Sequence, residues 1–252
     1  MSIASGNGGS PGRPLAKPKK TAMLLAQRMV GEIADDGLPV GTPLLPEREM
    51  LERYGVARGT LREALRFLEM HGVIEIRTGP GGGPVVGAPA SRHLAMILAM
   101  LLQLEHAPFR AVLEARLTLE PPLAARAAAR IGDDEVERLH DSVRAMRENI
   151  DDLDHFLHEN EQFHEIIARS SGNQVFSLVI SSLNWIIDGT PLGVDYPLDV
   201  RRSICAEHQR IYAALRDRDS ARASAAMAVH IGDFATYLER YYPSILDAPL
   251  RW

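Results

Sequence analysis

From Pro89 onward the chain is a succession of Ala-, Leu-, Arg- and Glu-rich segments with helical apolar periodicity and no strand signal. This pattern limits the fold more than any other. Breaks fall at Ala107-Pro108, Gly132, Gly172 and Gly189 to Gly193, so the segments run about 15–25 residues each. Helices of that kind bury their apolar stripes only against one another, which predicts an all-α bundle of roughly six or seven helices over residues 89–245. Segment lengths vary, so a solenoid of fixed repeat is excluded. Hydrophobic residues make up 46% of the chain, too many for a disordered one. The single cysteine, Cys205, rules out an intramolecular disulfide framework and fits a reducing compartment. The most apolar run, His93 to Leu104, is shorter than the ~20 residues of a membrane helix. No apolar signal segment opens the chain, so a soluble cytoplasmic protein without a membrane partner is expected.

Before Pro89 the pattern is different. Residues 1–20 are rich in Gly, Ser and Pro and end in Lys17, Lys19 and Lys20, which reads as a flexible basic arm. Residues 21–88 carry three short helical segments and a small hairpin. The first helix spans Thr21 to Asp35, with Leu24, Leu25, Met29 and Ile33 at roughly helical spacing. The second starts at Pro46-Glu47 and stops at Gly55; the third runs from about Arg58 to His71. Val73 to Arg77, a glycine-rich tip and Val85-Val86 form the hairpin. Three helices and a hairpin in this order are the plan of a winged helix-turn-helix.

The third helix has two faces. Leu61, Leu65 and Leu68 supply one; Arg58, Arg62 and Arg66 repeat at i, i+4 and i+8 on the other, with Thr60 near the N-terminal end. Arginine suits phosphate and the guanine edge through its planar fork, and a recognition helix presents its N-terminal residues to the major groove. The alternative is a solvated face on which Glu63 and Glu69 pair with neighbouring arginines. Charge points the same way as the groove reading. Residues 1–88 hold 11 Lys+Arg against 9 Asp+Glu, net +2, and residues 89–252 hold 17 against 24, net −7.

Three histidines of the body lie on or beside apolar helix stripes. His164 sits with Phe156, Asn160 and Ile167 at helical offsets; His208 lies between Ile204 and Ile211, and His230 between Met227 and Phe234. Each could be a hydrogen-bonded core histidine. Three imidazoles with an oxygen side chain one turn before the first also make a donor set for zinc or a similar divalent ion.

The residues of the head, Leu45-Pro46-Glu47-Arg48-Glu49, Tyr54-Gly55-Val56-Ala57-Arg58-Gly59-Thr60-Leu61-Arg62-Glu63-Ala64-Leu65, His71-Gly72-Val73-Ile74 and Gly79 to Val86, resemble the GntR family of bacterial transcription factors. The resemblance implies DNA contacts from Arg48, Arg58, Thr60 and Arg62, with Thr78 and Gly79 at the wing. Two departures stand out: Pro46 takes a position usually filled by a serine cap, and Gly59 sits where many members carry a base-touching side chain. In the body, Glu114-x-Arg116, Leu119-Glu120, Asn160-x-x-Phe163-His164, Ser170 to Asn173, Glu207-His208 and His230 resemble the FCD effector-binding domain of the FadR subfamily. That resemblance implies a metal held by His164, His208 and His230, with Asn160 at the place of the usual aspartate and Glu161 as a substitute oxygen donor. It also implies that Arg116 binds an anionic effector; a surface ion pair with Glu120 is the other reading of that arginine.

The expectation is a homodimeric regulator, not an enzyme, that binds a short inverted-repeat operator in double-stranded DNA. A small organic or sugar acid beside a divalent ion, zinc by donor type, would control it. Sensing of an acyl-CoA without metal is an alternative, although inward histidines suit an acyl wall poorly. A metallohydrolase is a second alternative, weakened because His164-Glu165-Ile166-Ile167-Ala168 has alanine where a zincin helix has its second histidine.

Overall fold

The computed structural model describes residues 18–79, 82–187 and 193–251 and separates into two compact units, Met1–Pro89 and Ala90–Trp252. The arm expected over residues 1–20 lies outside the described residues as far as residue 17, and the chain is already helical from Pro18. The break expected at Gly189 to Gly193 falls outside them too, apart from Gly193.

The first unit comprises α1 (Pro18–Asp35), α2 (Glu47–Tyr54), α3 (Arg58–Met70), β1 (Ile74–Arg77) and β2 (Gly83–Val86). Its core joins Ala22, Leu25, Ala26 and Met29 of α1 to Met50 of α2, Leu61, Leu65 and Leu68 of α3, and Ile74 of β1. Leu24 is off this stripe and half exposed, because it is rotated about 100° from Leu25 on the helix. Leu61 and Leu68 are fully buried, which contributes about 2–3 kcal/mol each. Gly55 links α2 to α3 with φ +63°, a left-handed turn in which its N–H donates to the Leu51 carbonyl. β1 and β2 pair antiparallel, Ile74 opposite Val86 and Arg77 opposite Gly83. The outer edge of β2 is held by the segment before α2: Leu44 N–H donates to the Pro84 carbonyl and Val86 N–H to the Thr42 carbonyl, each 2.9 Å. This anchors the base of the wing.

The second unit comprises α4 (Ser91–Leu104), α5 (Phe109–Ala128), α6 (Asp133–Glu148), α7 (Leu153–Ser170), α8 (Gln174–Ile187), α9 (Leu198–Arg216), α10 (Ser220–Tyr241) and the short α11 (Pro243–Asp247). Among the described residues its regular elements are all helices, with one isolated antiparallel bridge between Pro108 and Pro249. Two of its turns carry neither glycine nor proline at the helix start and were missed in the sequence. Asp152 and Asp219 make them instead, their carboxylates accepting from the N–H groups of His155 and Arg222 at 3.0 Å. At Gly172 the reading holds: φ is +74°, and Asn173 Oδ1 caps the next helix through the Val175 and Phe176 N–H groups. Folded chain also continues past residue 245, where Leu250 is buried and its N–H donates to the Ala107 carbonyl.

The axis of this unit is α5, which packs against α7, α8, α9 and α10 and runs on through Pro121-Pro122. One core gathers around Phe109, Phe156, Ile180 and Leu238, another around Leu139, Phe163, Ile211 and Met227. Cys205 belongs to the first of these cores and is buried. No helix of the described residues is long and apolar enough to cross a membrane.

Candidate functional site

In the first unit, Arg58 and Arg62 project from α3 on the side away from Leu61, Leu65 and Leu68, with 68% and 59% of their side chains exposed. Arg66 is exposed as well, and Arg48 on α2 is 88% exposed beside Glu52. The acid that meets the arginine stripe is neither Glu63 nor Glu69. It is Glu47, on the neighbouring helix, which accepts from Arg62 Nε at 3.0 Å and lies 3.7 Å from Arg58 Nε. Exposed pairs of this kind are worth only about 0–1 kcal/mol and exchange readily for phosphate. No side chain caps the N-terminus of α3 at Ala57, so its first N–H groups and helix dipole also face outward near Arg58 and the half-buried Thr60. Thr78 and Gly79 are exposed at the wing, Gly79 with φ +98°; Pro80 and Gly81 lie outside the described residues.

In the second unit, three helices bring His164 of α7, His208 of α9 and His230 of α10 together in the interior. Each is at most 4% exposed, and their ligand nitrogens all lie within 4.8 Å of one another. His230 Nε2 is 3.2 Å from His164 Nε2 and 3.3 Å from His208 Nε2. The ring of His208 is stacked on Phe163 at 4.0 Å between centroids, which holds its plane.

Two buried carboxylates dictate how these rings are protonated. Glu120 Oε2 accepts from His164 Nδ1 at 2.6 Å, and Glu207 Oε2 accepts from His230 Nδ1 at 2.8 Å while Ser203 Oγ donates to its other oxygen. With protons fixed on Nδ1, the Nε2 atoms of His164 and His230 present lone pairs to each other at 3.2 Å with no hydrogen between them. That is repulsive unless a cation lies among them. A tetrahedral ion with metal–nitrogen bonds of about 2.0–2.1 Å spaces its donors about 3.3–3.4 Å apart, close to the separations here. The residues therefore fit a divalent ion, and the carboxylate–imidazole pairs are the usual support behind such ligands.

Burial by itself would raise the carboxyl pKa of Glu120. The charge of Arg116 and the contact with His164 outweigh it and hold Glu120 ionised far below the ordinary range. Burial pushes His164 down to about 4 against the pull of Glu120, and burial together with the neighbouring imidazoles holds His208 well below its ordinary value. At neutral pH both rings are neutral, the state a metal needs.

Arg116 does pair with Glu120, yet not on a helix surface: Nε donates to Glu120 Oε1, both side chains are about nineteen-twentieths buried, and Nη2 lies 3.5 Å from His164 Nε2. No carboxylate among the described residues joins the histidine group itself. Asn160, one turn before His164, and Glu161 line a cavity of about 230 Å³ whose wall includes Arg116, Asn184, Trp185 and Tyr196. A larger groove of about 810 Å³ between α9 and α10 is bordered by four carboxylates, Asp195, Asp199, Glu207 and Asp233, and so repels anions. The structural roles of Glu120 and Glu207 toward the histidines were not legible in the sequence. The i, i+4 spacing of Arg116 and Glu120 hints at one; Glu207 meets His230 across two helices, and no local signal marks it.

Comparison with known proteins agrees with this division. Residues 23–82 match the model of the bacterial regulatory proteins of the gntR family, and residues 111–233 match the FCD domain. The HTH-type transcriptional repressor NanR of Cronobacter sakazakii is 29% identical over 231 residues, 89% of this chain and 88% of its own. The Bacillus subtilis HTH-type transcriptional regulator YcbG is 32% identical over 213 residues, covering 84% and 88% of the two chains. Among solved structures, Streptococcus agalactiae GntR superposes with a TM-score of 0.68 at 27% identity, covering 86% of this chain and 99% of that one. An arginine-bearing helix-turn-helix with a short wing, a helical FCD domain and a relative at 32% identity across most of both chains place this protein in the GntR family, as a DNA-binding transcriptional regulator and not an enzyme.

Proposed function

We propose that this regulator belongs to the FadR subfamily, acts as a homodimer on a short inverted-repeat operator, and is controlled by a small organic or sugar acid bound beside a divalent ion, zinc by donor set. The observation that carries the reading is the convergence of three buried imidazole Nε2 atoms, two of them oriented by carboxylates. When bound, the ion supplies concentrated positive charge and open coordination positions that an acid can occupy. His164, His208 and His230 hold it, and Asn160 stands one helical turn before His164 as an oxygen donor, uncharged where a carboxylate would lower the charge of the site. Arg116 donates to the acid from the wall of the neighbouring cavity. A cavity of about 230 Å³ favours a small acid over a long acyl chain.

On the DNA side, Arg48, Arg58, Thr60 and Arg62 contact phosphates and base edges, and Thr78 and Gly79 meet the backbone at the wing. Gly59 contributes no side chain, so base reading rests on the arginines. The support for a dimer is the apolar surface of α4 and α8, which pack together. Leu94, Ile97, Leu101 and Leu104 of α4 and Val175 and Leu178 of α8 are 38–71% exposed, large apolar side chains of the kind that a second copy of the chain would cover.

The test is fluorescence anisotropy on an operator fragment with zinc-loaded and chelator-treated protein, across a panel of small acids, with light scattering for mass. The expected result is a dimer whose operator affinity changes with acid only when zinc is present. Acid response that persists after chelation, or a monomer on DNA, would overturn the corresponding part.

A further inference from the structure

α9 bears Asp199 and Arg210, eleven residues apart, and α10 bears Arg222 and Asp233, again eleven apart. Eleven residues make three helical turns to within about 20°, so the two charges of each helix share one face. The helices pack against each other across the short turn at Asp217 to Asp219 and so run antiparallel. The acids therefore gather at one end of the seam and the arginines at the other, and all four side chains are exposed. Asp199 and Asp233 border the groove of about 810 Å³, together with Asp195. Arg210 and Arg222 border a second hollow of about 460 Å³ in the same seam. The two hollows meet at Glu207, whose carboxylate is committed to His230. Asp217 is shared between Arg216 and Arg222, so the arginine end keeps a positive excess. Between the charged ends the surface is small and apolar: Val229 is 50% exposed, and Ala206 and Ala225 are exposed as well.

We propose that the α9–α10 seam is a docking surface for a second copy of the chain, turned end for end, so that the acidic half of each lies over the basic half of the other. A nucleic acid or an anionic surface is repelled by the acidic half, and a basic peptide by the arginine half. The partner that suits both ends carries the same charges in reverse order. The seam itself does so after a two-fold rotation, which is the condition for an isologous contact. Small side chains in the middle let the two helix pairs approach closely, crest into groove. α9 and α10 have 19 and 22 residues, about 28 and 33 Å at ~1.5 Å each, and two helices side by side are about 20 Å wide. Full overlap covers about 560 Å² on each copy, about 1,100 Å² in all, the low end for a specific interface. The contact is therefore weak, and its charged ends make it sensitive to salt. It uses other helices than the α4 and α8 surface and does not rest on that pairing; the two together join dimers into tetramers.

The experiment is sedimentation velocity of the full chain over a range of concentrations at about 0.1 M and about 1 M salt, where the screening length falls from about 10 Å to about 3 Å. The expected result is a step to twice the mass of the dilute species at low salt, weakened at least about tenfold at high salt. Arg210→Glu with Arg222→Glu gives an all-acidic seam, and Asp199→Lys with Asp233→Lys an all-basic one. Neither double variant should take the step alone, and an equimolar mixture of the two should regain it. Val229→Arg, at an exposed position between the charged ends, should abolish the step without lowering the melting temperature. Thermal melts report the folding of every variant. A step that survives in either double variant alone, a mixture that stays at the dilute mass, or a wild type of one mass at every concentration and salt overturns the proposal. So does a wild type that binds a hexalysine peptide without self-associating, which gives the seam to a basic partner. None of these outcomes bears on the α4 and α8 pairing, which is read from the mass of the dilute species.

Discussion

Glu120 is shared by two buried donors, Arg116 Nε and His164 Nδ1. In Glu120→Gln the amide oxygen satisfies one donor and its NH2 group faces the other, while the Arg116 guanidinium, 4% exposed, is left without a counter-charge. Breaking a buried pair by removing one partner costs about 3–5 kcal/mol. In a unit of this size each kcal/mol lowers the melting temperature by about 2–4 °C, so the variant should melt about 6–20 °C lower in chelator. His164 then has reason to move its proton to Nε2, which removes a lone pair from the histidine group, and zinc affinity should fall about 10–100-fold. Replacing both partners, Arg116→Met with Glu120→Gln, removes the orphaned charge. The double variant should recover at least half of the lost stability, although not the zinc affinity. Differential scanning calorimetry and competition with a fluorescent zinc chelator measure the two effects. A melting temperature for Glu120→Gln within about 1 °C of the parent, or a double variant whose loss equals the sum of the single losses, would refute the account.

Four further predictions concern the first unit. Arg62→Ala should weaken operator binding and reduce the slope of log affinity against log salt by about 1, and Glu47→Gln, which frees Arg58 and Arg62, should strengthen binding at low salt; anisotropy titrations at several salt concentrations check both. Leu68→Ala, at a position 1% exposed between α1 and β1, should destabilise this unit by about 2–5 kcal/mol in urea denaturation followed by operator binding. Glu32 accepts from Arg28, Arg53 and the Tyr54 hydroxyl; although burial opposes it, the Tyr54 and arginine contacts hold its carboxyl below the ordinary 4.5, and burial with the Glu32 contact pushes Tyr54 up to about 12. A lowered carboxyl pKa stabilises the fold above about pH 4.5, and that contribution is lost as pH falls through the native value. The urea midpoint should therefore drop between pH 5 and pH 3.5, and Glu32→Gln should flatten that drop; an unchanged profile would remove Glu32 from the explanation.

Local chemistry determined the element plan. Apolar periodicity, Pro46 before α2 and the glycines at 55, 132 and 172 act over a few residues, so helices, hairpin and the arginine face of α3 could be read from sequence alone. So could the three histidine positions, since each lies on its own helix stripe. The turns before α7 and α10 escaped because an aspartate cap competes with solvent exposure as an explanation for Asp152 and Asp219 until the accepted N–H is seen. Spacing alone could not show that the helices converge; only the resemblance to the FCD domain implied it. The 3.2 Å approach of His164 to His230, the carboxylates of Glu120 and Glu207 behind them, the burial of Arg116 and the unsatisfied amide of Asn184 all depend on how α5, α7, α8, α9 and α10 cross. Periodicity tells which face of a helix is buried, but only packing between helices decides which other face it meets.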